Sequence, residues 1–234
     1  MNQSAKYNHL FFDLDHTIWD FDKNAEETLR ELFIVYDLPS IGLHSADEFI
    51  TTYTRNNHQL WADYHLGKIN KQQLRETRFR KTFMELSVNE HLIPLDFEKD
   101  YVRICPTKTH LFPHAHETLA YLQAKYKLHL ISNGFQESTL MKVENTGLGK
   151  YFDNINISEV IGINKPHRGI FDHALTLANG TVDNSIMIGD SLEADIMGAK
   201  SIGMDCIFFN PRNVKHDIEV DHEIACLDEL TKIL

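Results

Sequence analysis

Two carboxylates stand two residues apart in Asp13-Leu14-Asp15, directly behind the apolar run Leu10-Phe11-Phe12, and His16 and Thr17 follow them. At the end of a strand this spacing holds both acids near each other and leaves both accessible. A third acid, Asp190, closes the run Ser185-Ile186-Met187-Ile188-Gly189, and Asp195 follows it five residues later. If the two runs end on the same side of a sheet, one crevice collects several negative charges. Two such charges ~4 Å apart repel by about 4 kcal/mol at an effective dielectric of ~20. A divalent cation relieves that cost. Apart from His16 the motif offers only oxygen ligands, and hard oxygen donors favour Mg²⁺ over Zn²⁺. Ser132-Asn133-Gly134 presents a hydroxyl and backbone N–H groups where a helix begins, an anion site suited to phosphate. Lys165, before Pro166, adds a positive charge able to offset the charge of a phosphoryl group. Each feature has an ordinary alternative: strand-end aspartates cap helices, Ser-Asn-Gly forms turns, and Lys-Pro occurs in loops. Their order, each at the end of an expected strand, points to one shared site.

The elements that position these residues follow from hydrophobic rhythm. Residues 9–14 read as a buried strand. After residue 113 helix and strand alternate: a helix to about residue 125, a strand at 128–132, a helix at 136–146 and a strand at 155–158. A helix at 169–177, a strand at 185–190, a helix to about 201 and a strand at 205–210 complete the series. Such alternation predicts an α/β fold with a Rossmann-like parallel sheet core and helices on both faces. Between the first two strands lie more than 100 residues with helical spacing, as in Leu29, Leu32 and Phe33, and again in Leu74, Phe79, Phe83 and Leu86. A crossover needs only a few tens, so this stretch is expected to be an inserted all-helical cap, 19–106, on a catalytic core of 1–18 and 107–234. The links at 19–22 and 106–109 are the expected hinges.

Composition excludes several classes. A formal charge of −11 argues against wrapping a nucleic-acid polymer. No apolar run approaches the ~20 residues of a membrane helix, and the polar opening at 1–8 lacks a secretion pattern, so a cytoplasmic protein is expected. Cys105, Cys206 and Cys226 are too scattered for a disulfide framework or a thiolate zinc site. His114 and His116 beside Pro113 fit a helix start better than a metal site. No glycine-rich dinucleotide or P-loop pattern occurs.

The four ordered segments, Asp13-Leu-Asp-His-Thr17, Ser132-Asn133, Lys165 and Gly189-Asp190-Ser-Leu-Glu-Ala-Asp195, resemble the haloacid dehalogenase superfamily over essentially the whole chain. The resemblance implies Mg²⁺-dependent phosphomonoester hydrolysis through an aspartyl-phosphate. By it, Asp13 is nucleophile and metal ligand, and Asp15 is general acid and base and ligates metal through its backbone carbonyl. Ser132 and Asn133 hold phosphoryl oxygens, Lys165 screens Asp13 and phosphate, and Asp190 ligates metal. Asp195 acts through a metal-bound water or by positioning Lys165. His16 stands where glycine is commoner.

Leu60-Trp61-Ala62-Asp63-Tyr64, Gly67-Lys68-Ile69, Phe112-Pro113 and Ser132-Asn133-Gly134-Phe135 are similar to the branch acting as 5′-nucleotidases on pyrimidine and non-canonical nucleoside monophosphates. Trp61, Tyr64 or Phe135 would then stack on a base, although each ring also suits packing within its own domain. A sugar-phosphate or phosphoglycolate phosphatase shares all four segments. A metal-independent dehalogenase is disfavoured by Asp15, and a non-catalytic binding module has no need of the full acidic and basic set.

Overall fold

The structure, a computed structural model, describes residues 6–234; residues 1–5 of the polar opening lie outside the described residues. The chain divides into two compact units, one running to Asp20 and resuming at Thr109 through Leu234, the other Phe21–Lys108.

The Phe21–Lys108 unit is helical. Its helices are α1 (Phe21–Val35), α2 (Ala46–His65), α3 (Lys71–Glu85) and α4 (Phe97–Ile104). Ser45 caps α2 by accepting from Glu48 N, and Asn70 with Gln73 forms a capping box on α3, so one orphan N–H in each first turn is met. The helices close on buried aromatics, among them Phe49, Tyr53, Phe79, Phe83, Phe97 and Tyr101. Neighbouring rings meet at centroid separations of 4.9 to 5.8 Å. Each such ring contributes large apolar area, and edge-to-face geometry adds to it.

The other unit is built on a six-stranded sheet. Its strands are β1 (His9–Phe12), β2 (Lys127–Ser132), β3 (Asn154–Ile157), β4 (Ser185–Gly189), β5 (Asp205–Phe209) and β6 (His222–Ile224). Their order is β3-β2-β1-β4-β5-β6, with every neighbouring pair parallel. Here α5 (Ala115–Gln123), α6 (Gln136–Asn145), α7 (Ser158–Ile161), α8 (Arg168–Ala178), α9 (Gly198–Ser201) and α10 (Leu230–Ile233) surround the sheet. Continuous apolar runs such as β1 and β4 suit a parallel sheet covered on both faces, and all their residues are buried. Phe11, Ile131, Phe171, Met187, Cys206 and Phe208 share one core cluster. Burying each large side chain contributes about 1.5–3 kcal/mol.

The parallel α/β architecture expected from the rhythm is present, with three differences. The first strand ends at Phe12 rather than residue 14, because Ile18 N and Trp19 N both turn back to Leu14 O at 2.9 and 2.8 Å. The stretch after β4 opens as a π-helical turn, Leu192–Met197, before α9. A sixth strand, β6, was not expected. Where the chain leaves and re-enters this unit, Phe112 N donates to Ile18 O at 2.9 Å and Asp20 N to His110 O at 3.1 Å. His114 takes the N-cap position of α5 without a side-chain cap bond, and His116 Nδ1 lies 3.1 Å from Tyr151 Oη. Among the described residues no helix is long and apolar enough to cross a membrane.

Candidate active site

Central position in the sheet brings the chemistry together. Phe12 of β1 lies opposite Leu130 of β2 and Ile188 of β4, so the loops after these strands leave the sheet side by side at their carboxyl ends, where open parallel sheets bind ligands. Asp13 N donates to Ile188 O at 2.9 Å, which fixes the first acid against β4.

Lys165 reaches into this point from the loop between α7 and α8 and is 1% exposed. Its Nζ lies 2.6 Å from Asp13 Oδ1, 2.7 Å from Asp195 Oδ1 and 2.8 Å from Ile131 O. The contacts to Asp13 and Ile131 are hydrogen bonds, and that to Asp195 is an ion pair. Asn133 holds the loop: its Nδ2 donates to Lys165 O at 2.9 Å and its Oδ1 accepts from Lys165 N at 2.8 Å. The Asn133 side chain therefore sets the lysine, while the residue's backbone belongs to the turn after β2. Ser132 Oγ accepts from Gly134 N at 3.0 Å.

The acids gather around the lysine. One carboxylate oxygen from each of Asp13, Asp190 and Asp195 lies within 4.8 Å of the others. Thr17 Oγ1 donates to Asp190 Oδ1 at 3.1 Å. Asp195 is fixed by the turn that carries it, with Ser191 N donating to its Oδ2 at 3.1 Å. This approach requires a glycine at 189, because a Cβ there would come within 2.3 Å of Asp195 Oδ2.

One ammonium among three carboxylates leaves two uncompensated negative charges when all are ionised, and the protonation energetics register it. Burial, then the charges of Asp195 and Asp15, push the Asp13 carboxyl up to about 7 although Lys165 opposes them. Burial, with Asp13 and Asp195, holds Asp190 well above the usual carboxylate range. Burial works against charge on Lys165, but Asp13 and Asp195 outweigh it and keep the ammonium. A cluster of carboxylates whose charge is disfavoured by burial and by one another, and which presents only hard oxygens, fits a divalent cation of the Mg²⁺ type.

Asp13, Lys165, Asp190 and Asp195 thus come together, with Ser132 and Asn133 one strand away. Asp15 lies beside them, and its Oδ1 accepts from Lys142 Nζ at 2.6 Å. Trp61 and Tyr64 belong to the other unit, in the last turn of α2, half-buried, with ring centroids 5.4 Å apart and edge to face. Phe135 is buried at the start of α6.

Lys142 was missed in the sequence because a lysine inside a polar helix reads as solvated. A signal existed: Thr139, Lys142, Val143 and Thr146 fall at i, i+3, i+4 and i+7, the stripe that α6 and its end bury.

Residues 7–203 match the family model described as haloacid dehalogenase-like hydrolase. The chain is 32% identical over 233 residues to the pyrimidine 5′-nucleotidase YjjG of Escherichia coli (strain K12), covering 98% of both chains. It is 30% identical over 232 residues to the pyrimidine 5′-nucleotidase PynA of Streptococcus pneumoniae (strain ATCC BAA-255 / R6), covering 97% of this chain and 95% of that one. Its fold superposes with a TM-score of 0.86 on the HAD-hydrolase YfnB from Bacillus subtilis bound to magnesium, at 28% identity and with 98% and 99% of the two chains covered.

Proposed function

This chain belongs to the haloacid dehalogenase-like hydrolases, and from that premise we propose that it is a Mg²⁺-dependent 5′-nucleotidase acting on pyrimidine or non-canonical nucleoside monophosphates through an aspartyl-phosphate on Asp13. The observation that carries the chemistry is the convergence of Asp13, Asp190 and Asp195 on Lys165 at the strand ends. Full-length similarity to two proteins named pyrimidine 5′-nucleotidases supports the substrate class.

Asp13 and Asp190, with the Asp15 carbonyl, would hold the ion, and Asp195 would support it from behind. When bound, Mg²⁺ supplies positive charge that keeps the carboxylates ionised and offsets the charge of the substrate dianion. Everything else falls to the chain itself. Lys165 fixes Asp13 through Oδ1 and adds positive charge where the phosphoryl group transfers. The Asn133 backbone N–H and the Ser132 hydroxyl hold phosphoryl oxygens and orient the ester for in-line attack. An Asp13 oxygen forms the new bond to phosphorus as the ester P–O bond breaks, and Asp15 gives its proton to the leaving 5′-oxygen. Ionised by that transfer, Asp15 then takes a proton from water, which attacks phosphorus and frees Asp13 and inorganic phosphate. The Phe21–Lys108 unit is proposed to act as the cap, with Trp61 and Tyr64 as base-stacking candidates.

A panel of nucleoside monophosphates and sugar phosphates assayed with Mg²⁺ tests the substrate. The expected ranking places dUMP, dTMP and UMP above every sugar phosphate in kcat/KM. The reverse ranking would assign the site to sugar phosphates instead.

A further inference from the structure

Lys142 has a place in the site for which neither the four sequence segments nor the chemistry above accounts. It projects from α6 towards the sheet and is 5% exposed, an unusual state for a lysine. Its Nζ lies 2.6 Å from Asp15 Oδ1 and 4.2 Å from the centroid of the fully buried Trp19 ring. An ammonium over a tryptophan face is attracted to the ring's quadrupole, and more strongly once desolvated. Its stem and head are therefore fixed from two sides, by a carboxylate and by an aromatic face.

Asp15's two oxygens are consequently not equivalent. Oδ1 is held by Lys142. Oδ2 turns towards the phosphate loop, 3.5 Å from where a Cβ on Gly134 would lie; that same point is 3.1 Å from Ser132 Oγ and 2.6 Å from Thr139 Oγ1. A glycine at 134 lets α6 come this close, and the approach brings Thr139 and Lys142, one helical turn apart, onto the two oxygens' sides of Asp15.

Building on the phosphohydrolase reading, we propose that Lys142 is the positioning residue for Asp15: it clamps Oδ1, with Trp19 as backing, so that Oδ2 faces the bridging ester oxygen. A carboxyl free to rotate about its χ angles would present the wrong oxygen, or neither, for much of the time. The clamp confers geometry on the proton transfer to the leaving oxygen and on the later one from water, and leaves phosphate binding to Ser132, Asn133 and Lys165.

A leaving-group comparison tests this role. An alkyl ester needs a proton on its departing oxygen, whereas p-nitrophenolate leaves without one. Lys142→Met, which keeps the length and apolar stem, is expected to lower kcat/KM on UMP, which reads the steps up to departure of the 5′-oxygen, by about 10²-fold, the lower end of what a positioned acid contributes. On p-nitrophenyl phosphate kcat/KM should fall far less, because the water step that both esters share comes after their leaving groups have departed. Lys142→Arg keeps a cation on Trp19 and Asp15 and is expected to recover part of the UMP rate. Should Lys142→Met fail to fold by circular dichroism, Lys142→Gln takes its place with the same expectation. Equal losses of kcat/KM on both esters, or an undiminished kcat/KM on UMP, would overturn the clamp and leave the phosphohydrolase reading standing. Wild-type protein inert towards UMP but active on glucose 6-phosphate would overturn only the nucleotide assignment, and the latter ester then serves in the comparison. Wild-type protein inert towards every ester would overturn both.

Discussion

Arg78 in the helical unit and Lys165 at the strand ends are both buried cations, 4% and 1% exposed, yet their surroundings differ in one respect. Arg78 meets Glu98 in a two-pronged contact, Nε to Oε2 and Nη2 to Oε1, each at 2.8 Å, with its guanidinium 4.9 Å from the Tyr101 ring centroid. Acid is not in excess there, since Glu98 also meets the partly exposed Arg75, whose Nε lies 3.1 Å from Oε1, and the Arg78 geometry is the planar fork that suits a carboxylate. Lys165 is outnumbered by Asp13, Asp190 and Asp195. A buried charge that is balanced ties helices together. One that is deliberately unbalanced stores a demand for a further cation, and that demand marks a site of chemistry.

The sharpest separation comes from removing one acid on each side. Asp13→Asn is expected to reduce turnover of a nucleoside monophosphate by on the order of 10³-fold or more, as loss of a nucleophile does. Its Tm should not fall, because the substitution relieves repulsion and retains an oxygen for Lys165. Glu98→Leu is expected to do the opposite to stability, costing about 3 kcal/mol by stranding Arg78. Thermal unfolding of both variants, read beside phosphate release, checks the contrast. A large Tm drop in Asp13→Asn with activity retained would erase it.

How much of this was legible in the sequence varied with the kind of signal. Strands β1 and β4 were readable because an uninterrupted apolar run that stops at an acid has few other interpretations, and with them came Asp13 and Asp190. Strand β6 was not, because His222–Ile224 is three residues long with only Ile224 buried, too short to show a period. The π-helical turn at Leu192–Met197 was hidden because its residue types suit an ordinary helix, and the contact of its Asp195 with Lys165 is a tertiary one. Lys142 and the Asn133 clamp on Lys165 depend on pairings across 127 and 32 residues, and local pattern carries no such information. Trp61 and Tyr64 were visible as aromatics, but a ring's partners are a property of the packed unit.

A milder contrast comes from a buried pair of neutral groups. His9 Nδ1 lies 3.0 Å from His129 Nε2, and Asn154 Nδ2 lies 3.1 Å from His129 Nδ1. Burial, then the neighbouring His9, pushes His129 down to about 4; burial, then Lys127, also lowers His9. The unfolded chain then binds more protons than the folded one between the ordinary histidine value of 6.5 and about 4, so stability falls as pH drops through that window. Tm is expected to decrease from about pH 7 to about pH 5, and less steeply in His129→Gln. Identical slopes for the two proteins would remove the pair from the account of acid sensitivity.

Calorimetric titration of Mg²⁺ into the metal-free protein and into Asp190→Asn reads the unbalanced cluster directly. The expected result is one ion per chain, bound more tightly at about pH 8 than at about pH 6 with protons released, since the ion must displace those held by Asp13 and Asp190. Binding should be lost or greatly weakened in Asp190→Asn, and phosphate release should stop in EDTA and return with Mg²⁺. Undiminished binding in Asp190→Asn, or full hydrolysis in EDTA, would contradict the assignment of Asp13 and Asp190 to a cation.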